Sequence, residues 1–71
     1  MKLQQFERVR VTRPVPRYRL PAGAVGTIMD IYEDGAAFEV EFPELEDGDV
    51  TATLLADEVA PAHVAVGATR I

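Results

Sequence analysis

Asp34-Gly35-Ala36-Ala37-Phe38-Glu39-Val40-Glu41-Phe42-Pro43 decides the fold of this chain. Phe38, Val40 and Phe42 fall on one side of an extended segment and Glu39 and Glu41 on the other. That is the period-two pattern of a strand with one face buried. Asp34-Gly35 in front of it is a hairpin signal. Pro43, which has no N–H to give to a ladder, ends the strand in this reading. Upstream, Ala24 to Tyr32 reads as its partner strand. Val25, Ile28 and Ile31 recur there every third residue, which a regular strand cannot bury on one face. The spacing predicts a bulge, and Gly26 is the natural place for it.

The same punctuation continues in both directions. Downstream, Glu44 to Asp49 forms an acidic loop with Leu45 folding back as a plug. Val50 to Leu54 is the next strand, with Val50, Ala52 and Leu54 inward. Ala56-Asp57-Glu58-Val59 is a single acidic helical turn, and a short fifth strand near 59–64 completes the set. Toward the N-terminus, Glu7 to Thr12 is the first strand, with Val9 and Val11 inward, Arg8 and Arg10 outward, and Phe6 closing one end of the core. Pro14, Pro16 and Pro21 exclude a central strand or helix between Arg13 and Gly23 and predict an extended, stiff loop. The predicted core is Val9, Val11, Val25, Ile28, Ile31, Phe38, Val40, Phe42, Val50, Leu54 and Val59. The fold class is therefore all-β: a small five-stranded barrel of the SH3-like kind, with a long Pro-rich first loop and one helical turn before the last strand. Residues 1–64 form the single domain and 65–71 a C-terminal tail.

The segment Gly23-Ala24-Val25-Gly26-Thr27-Ile28-Met29-Asp30-Ile31-Tyr32 resembles the Gly-anchored second strand of KOW-type and related SH3-like domains. From Phe6 to Pro61 the chain resembles an uncharacterised bacterial family of small stand-alone SH3-like domains, for which no activity is established. Val9-Arg10-Val11, Pro16-Arg17-Tyr18-Arg19-Leu20-Pro21, Gly26-Thr27-Ile28 and Phe38-Glu39-Val40-Glu41-Phe42 are also similar to the SH3-like barrel of nitrile hydratase β subunits. There the metal belongs to a Cys-rich partner chain, so that similarity implies at most an accessory role.

Composition narrows the chemistry. The 71 residues contain no Cys, Ser, Asn or Trp, which removes disulfides, thiolate metal sites and Ser or Cys nucleophiles. The single His63 cannot build a metal site alone, and it is placed at the barrel edge or surface. No metal or cofactor is expected, and no enzyme. Nothing approaches an apolar stretch of membrane-span length, and a cytoplasmic location is the default.

Charge is sorted along the chain. Residues 1–20 hold six of the seven basic side chains and one acid, a net of +5, and residues 21–71 hold Arg70 against eleven acids, a net of −10; together these give −5. Arg8, Arg10, Arg13, Arg17 and Arg19, with Tyr18 among them, form the candidate partner-binding set, suited to an acidic surface or to phosphates. The competing reading is ordinary pairing with the chain's own acids, each pair worth ~0–1 kcal/mol. Glu39 and Glu41 read as a solvated strand face, and Tyr32 as a rim residue.

The leading expectation is a non-enzymatic protein-interaction module, an accessory subunit or antitoxin-like partner. It docks through the basic loop or the opposite acidic surface on another protein, such as a neighbouring gene's product, or on a second copy. In this reading the positive and acidic surfaces are separate poles, and reversing Arg17 and Arg19 leaves the melting temperature nearly unchanged. The alternative is a KOW-type nucleic-acid-binding domain using the same arginines. The acidic balance, with pI ≈ 4.6, makes nucleic acid the weaker expectation.

Overall fold

A computed structural model of the chain describes residues 2–45 and 48–62. The expected tail, residues 65–71, and His63 lie outside the described residues. Five strands form one antiparallel sheet: β1 (Arg8–Val11), β2 (Val25–Tyr32), β3 (Ala37–Leu45), β4 (Gly48–Leu55) and β5 (Val59–Pro61). Their order is β4-β3-β2-β1-β5. Three single 3-10 turns, Pro16–Tyr18, Glu33–Gly35 and Ala56–Glu58, are the helical elements among the described residues.

This order forces the sheet to curl. β4 and β5 are its two edges, four strand spacings apart, or about 19 Å in a flat sheet at ~4.8 Å per spacing. Yet only Ala56–Glu58 joins them, and one 3-10 turn of that length rises only ~6–8 Å. The edges must therefore approach one another. All five strands accordingly feed one core: Val9, Val11, Ile28, Phe38, Val40, Phe42, Ala52, Leu54 and Val59 are buried together.

Most of the expected core is present, with informative differences. β2 does carry a bulge, but at Met29: Ile28 pairs with Val40 and Asp30 with Glu39, leaving Met29 as the extra residue. Gly26 keeps to the regular ladder opposite Val9 and is buried. A Cβ there would lie 2.6 Å from the Glu41 carbonyl oxygen and 2.8 Å from Phe42 Cδ1 and Val40 Cγ1. Glycine is required by close approach, and no positive φ is involved. With Gly26 inward, Val25 turns out and is 42% exposed. Ile31 and Val50 are partly buried against the core.

β3 does not stop at Pro43. It runs on to Leu45, which pairs with Gly48, and the register shifts between Phe42 and Leu45. The irregular ladder there accommodates a residue without an N–H. The Asp34-Gly35 connection is a turn with three successive positive φ values, 51° at Glu33, 58° at Asp34 and 99° at Gly35, closed by Ala36 N–H to the Tyr32 and Glu33 carbonyls. Phe6 does not cap the core. It is 64% exposed, with φ +71°.

Candidate functional site

The Pro-rich segment is folded, not extended. Val15 and Leu20 exchange backbone hydrogen bonds of 2.8 and 3.1 Å, and both side chains are buried in the core. They pinch off the turn Pro16–Tyr18, where Pro16 takes the first position, whose N–H has no partner within the turn. Arg19 closes the turn in the left-handed region at φ 58° and is exposed. The pinch holds Arg17 and Tyr18 against the outer edge of β4. There the Thr53 N–H donates to Tyr18 Oη at 3.1 Å, and Arg17 Nη2 donates to the Thr53 carbonyl at 3.2 Å. Side chains thus take the place of a neighbouring strand on this edge.

Arg17 then reaches the last 3-10 turn. Its two terminal nitrogens donate to the two carboxylate oxygens of Glu58 at 3.0 and 2.9 Å, a bidentate fork. The guanidinium carbon stands 5.3 Å from the Tyr18 ring centroid. Glu58 also accepts the Leu55 N–H at 2.8 Å, and its side chain is only 6% exposed. Arg17 above all, then the Leu55 N–H and the charges of Arg17 and Arg13, hold the Glu58 carboxyl down at about 2, against the opposing effect of burial. The same contact raises the Arg17 guanidinium further.

Arg13 and Thr12 complete the seam. Thr12 donates its N–H to the Glu58 carbonyl and its hydroxyl to the Asp57 carbonyl, each at 2.9 Å. Arg13 donates to the Asp57 carbonyl at 3.1 Å and lies 3.5 Å from the Asp57 carboxylate and 3.7 Å from that of Glu58. Arg13 and Asp57 are both largely exposed, so that pair is weak. Arg13, Arg17 and Tyr18 therefore form a clasp on the outer edge of β4 and on the 3-10 turn that leads into β5. The spacing of these residues in the chain gave no sign of Glu58 and Thr53 as their partners.

Arg8 and Arg10 are placed differently. They stand on the outer face of β1, opposite Thr27 and Val25 of β2, with Ala60 of β5 beside Arg10. Neither makes a side-chain hydrogen bond or ion pair among the described residues. Acids share this face: Arg8 pairs with Thr27, Thr27 with Glu41, and Glu41 with Thr51. Arg8 and Glu41 are then two strand spacings apart, roughly 10 Å. The expected separate poles do not exist. Glu39 accepts the Tyr32 hydroxyl at 2.5 Å, and this bond pushes the tyrosine up to about 12.

An open cleft of about 580 Å³ is lined by Lys2, Leu3, Asp34, Phe38, Val59 and Pro61, among others. Among the described residues no group of three or more His, Cys, Asp or Glu could hold a metal ion. No described helix is long and apolar enough to cross a membrane.

Fold and surface define a small all-β domain, its open sheet edge clasped by side chains. The chain belongs to the family described as "Domain of unknown function (DUF4926)", which it matches over residues 5–60. Neither the search of curated proteins nor that of solved structures gave a match.

Proposed function

We propose that this chain is a non-enzymatic protein-interaction module, an accessory or antitoxin-like partner acting in the cytoplasm of a bacterium. Its curled sheet is of the SH3-like kind. The order β4-β3-β2-β1-β5 and the single turn between β4 and β5 support that reading. The observation that carries the functional reading is the division of the arginines. Arg13 and Arg17 are occupied by the chain's own turn, whereas the exposed Arg8 and half-buried Arg10 on the outer face of β1 make no ion pair among the described residues. Arginines left without an acid of their own among the described residues favour a partner bearing local carboxylates.

The test is co-purification with the product of the adjacent gene. Arg8→Glu combined with Arg10→Glu abolishes the complex in this reading, while nuclease treatment leaves the wild-type complex intact. Loss of the complex on nuclease treatment, or oligonucleotide binding that falls steeply with salt, would instead support nucleic-acid recognition.

A further inference from the structure

Phe6 is more exposed than any other large apolar side chain among the described residues. It is also held in a backbone conformation that bulky residues avoid, with φ +71°. The Glu7 N–H donates to the Gln4 carbonyl at 3.1 Å, which makes Phe6 the third residue of a four-residue turn. A positive φ at that position is the one a type II turn gives to glycine. The turn is not loose. The Glu7 carboxylate accepts the Gln4 N–H at 3.0 Å. The Phe6 N–H donates to the Ile28 carbonyl at 2.7 Å, and the Ile28 N–H donates to the Glu7 carbonyl at 3.0 Å. The Gln5 side-chain amide donates to the Met29 carbonyl at 2.9 Å. A strained backbone, tied down on several sides, therefore holds a phenyl ring in solvent. The fold gains neither burial nor relaxed geometry from it. Strain of this kind, kept where it does not serve packing, is a pointer to function.

The surroundings of Phe6 give the strain a direction. The β1–β2 register pairs Arg8 with Thr27. The bonds from the Phe6 N–H to the Ile28 carbonyl and from the Gln5 amide to the Met29 carbonyl place this turn beside Ile28 and Met29 of β2. Met29 is the extra residue of the bulge and is itself exposed. Arg8 and Arg10 stand at alternate positions of β1, which starts two residues after Phe6, ~7 Å apart along the strand. Val25, also exposed, lies opposite Arg10.

We infer that Phe6 is the apolar anchor of a docking face whose ionic part is Arg8 and Arg10. The occupant is an extended acidic segment of another protein, carrying one bulky apolar residue beside carboxylates at alternate positions. This rests on the interaction reading above and names the chemistry of the partner. The alternation of Arg8 and Arg10 matches carboxylates two residues apart on an extended chain. The exposed Phe6 and Met29 supply the desolvated contact that such weak ion pairs need around them. A continuous polyanion fits less well, because Glu41 shares the sheet face with Arg8 and the whole chain is acidic. A second copy, equally acidic, is repelled on approach.

The test uses fluorescein-labelled, Thr-rich synthetic peptides with one Phe and two Glu at alternate positions, in both orders, titrated with the full chain by fluorescence polarisation at low salt. The wild type binds with a Kd between about 10 μM and 1 mM, and the same peptides with Ala for Phe bind at least tenfold more weakly. Phe6→Gly weakens binding at least tenfold yet raises the melting temperature by a few degrees, because glycine relaxes the turn. Phe6→Asn, which tolerates the left-handed region, weakens binding equally without lowering the melting temperature. Arg8→Ala with Arg10→Ala also weakens it tenfold. The inference is overturned if no such peptide binds below about 1 mM, or if Phe6→Gly binds as the wild type does. It is equally overturned if that variant melts lower, or if an oligonucleotide or a second copy of the chain binds more tightly than the peptides. Loss of binding in the arginine variant with full binding in Phe6→Gly would remove Phe6 as anchor and leave the interaction reading standing.

Discussion

The clasp and the outer strand draw on the same residue type within one short stretch, and the fold uses them in opposite ways. Arg17 is fixed by three hydrogen bonds within its own chain, two to Glu58 and one to Thr53. Arg8 and Arg10, a few residues earlier, have no such partner among the described residues. Backbone geometry makes the difference. A pinched turn between Val15 and Leu20 carries Arg17 to an open sheet edge. Strand alternation leaves Arg8 and Arg10 on a face that the core does not need. A cluster of arginines in a sequence is therefore not one surface. Its members are separated by what the backbone between them does.

Both regions stand on the same core, so the largest effect should come from beneath them. Phe42→Ala should destabilise the domain by ~3–5 kcal/mol, and Gly26→Val should do comparable damage through its clash with the Glu41 carbonyl. Denaturant unfolding at neutral pH measures both. A Gly26→Val protein as stable as the wild type would remove the close approach of β2 to β3 from the account.

Acid should act on the clasp and leave the outer strand untouched. The Glu58 carboxyl is held at about 2, below its ordinary value of 4.5. Its contribution to stability is thus complete above about 4.5 and is lost as the pH falls toward about 2. Melting curves across that range should show a decline that Glu58→Gln, already lacking the charge, does not share. An identical decline in both proteins would place the acid sensitivity elsewhere.

Tyr18→Phe removes the acceptor for the Thr53 N–H together with the hydroxyl's interaction with Arg17, and keeps the ring. It should lower stability by about 0.5–1.5 kcal/mol, read from the shift in urea midpoint at unchanged slope. The smallest effect belongs to the outer face. Arg8→Ala and Arg10→Ala should each lie within ~0.5 kcal/mol of the wild type. A larger loss in either would give that arginine a structural partner and blur the comparison.

What was legible in the sequence follows the same division. Alternation marks β1, β3 and β4 because each buries one face, and Phe38, Val40 and Phe42 stand where the pattern puts them. The three-residue spacing in β2 correctly calls for one extra residue. It cannot say which, because Gly26 offers both a place for a bulge and a place where two strands come close. The buried Val15 and Leu20 are hidden among prolines, which signal irregular backbone without showing that it folds back. Arg17 and Glu58 are 41 residues apart, and their pairing depends on the curl that brings the sheet edges together. Nothing local encodes that. Phe6 reads as core because it is apolar, and only its backbone angle turns it outward.

The central claim is that Arg17 serves the fold while Arg8 and Arg10 do not. The direct measurement is thermal unfolding, under one set of conditions, of Arg17→Ala and of the double variant Arg8→Ala with Arg10→Ala. Removing Arg17 leaves a buried carboxylate without its main partner, which should lower the melting temperature by about 10 °C or more. The double variant should melt within about 3 °C of the wild type. Equal shifts in the two proteins, or a larger one in the double variant, would contradict the division of the arginines into a clasp and a free face.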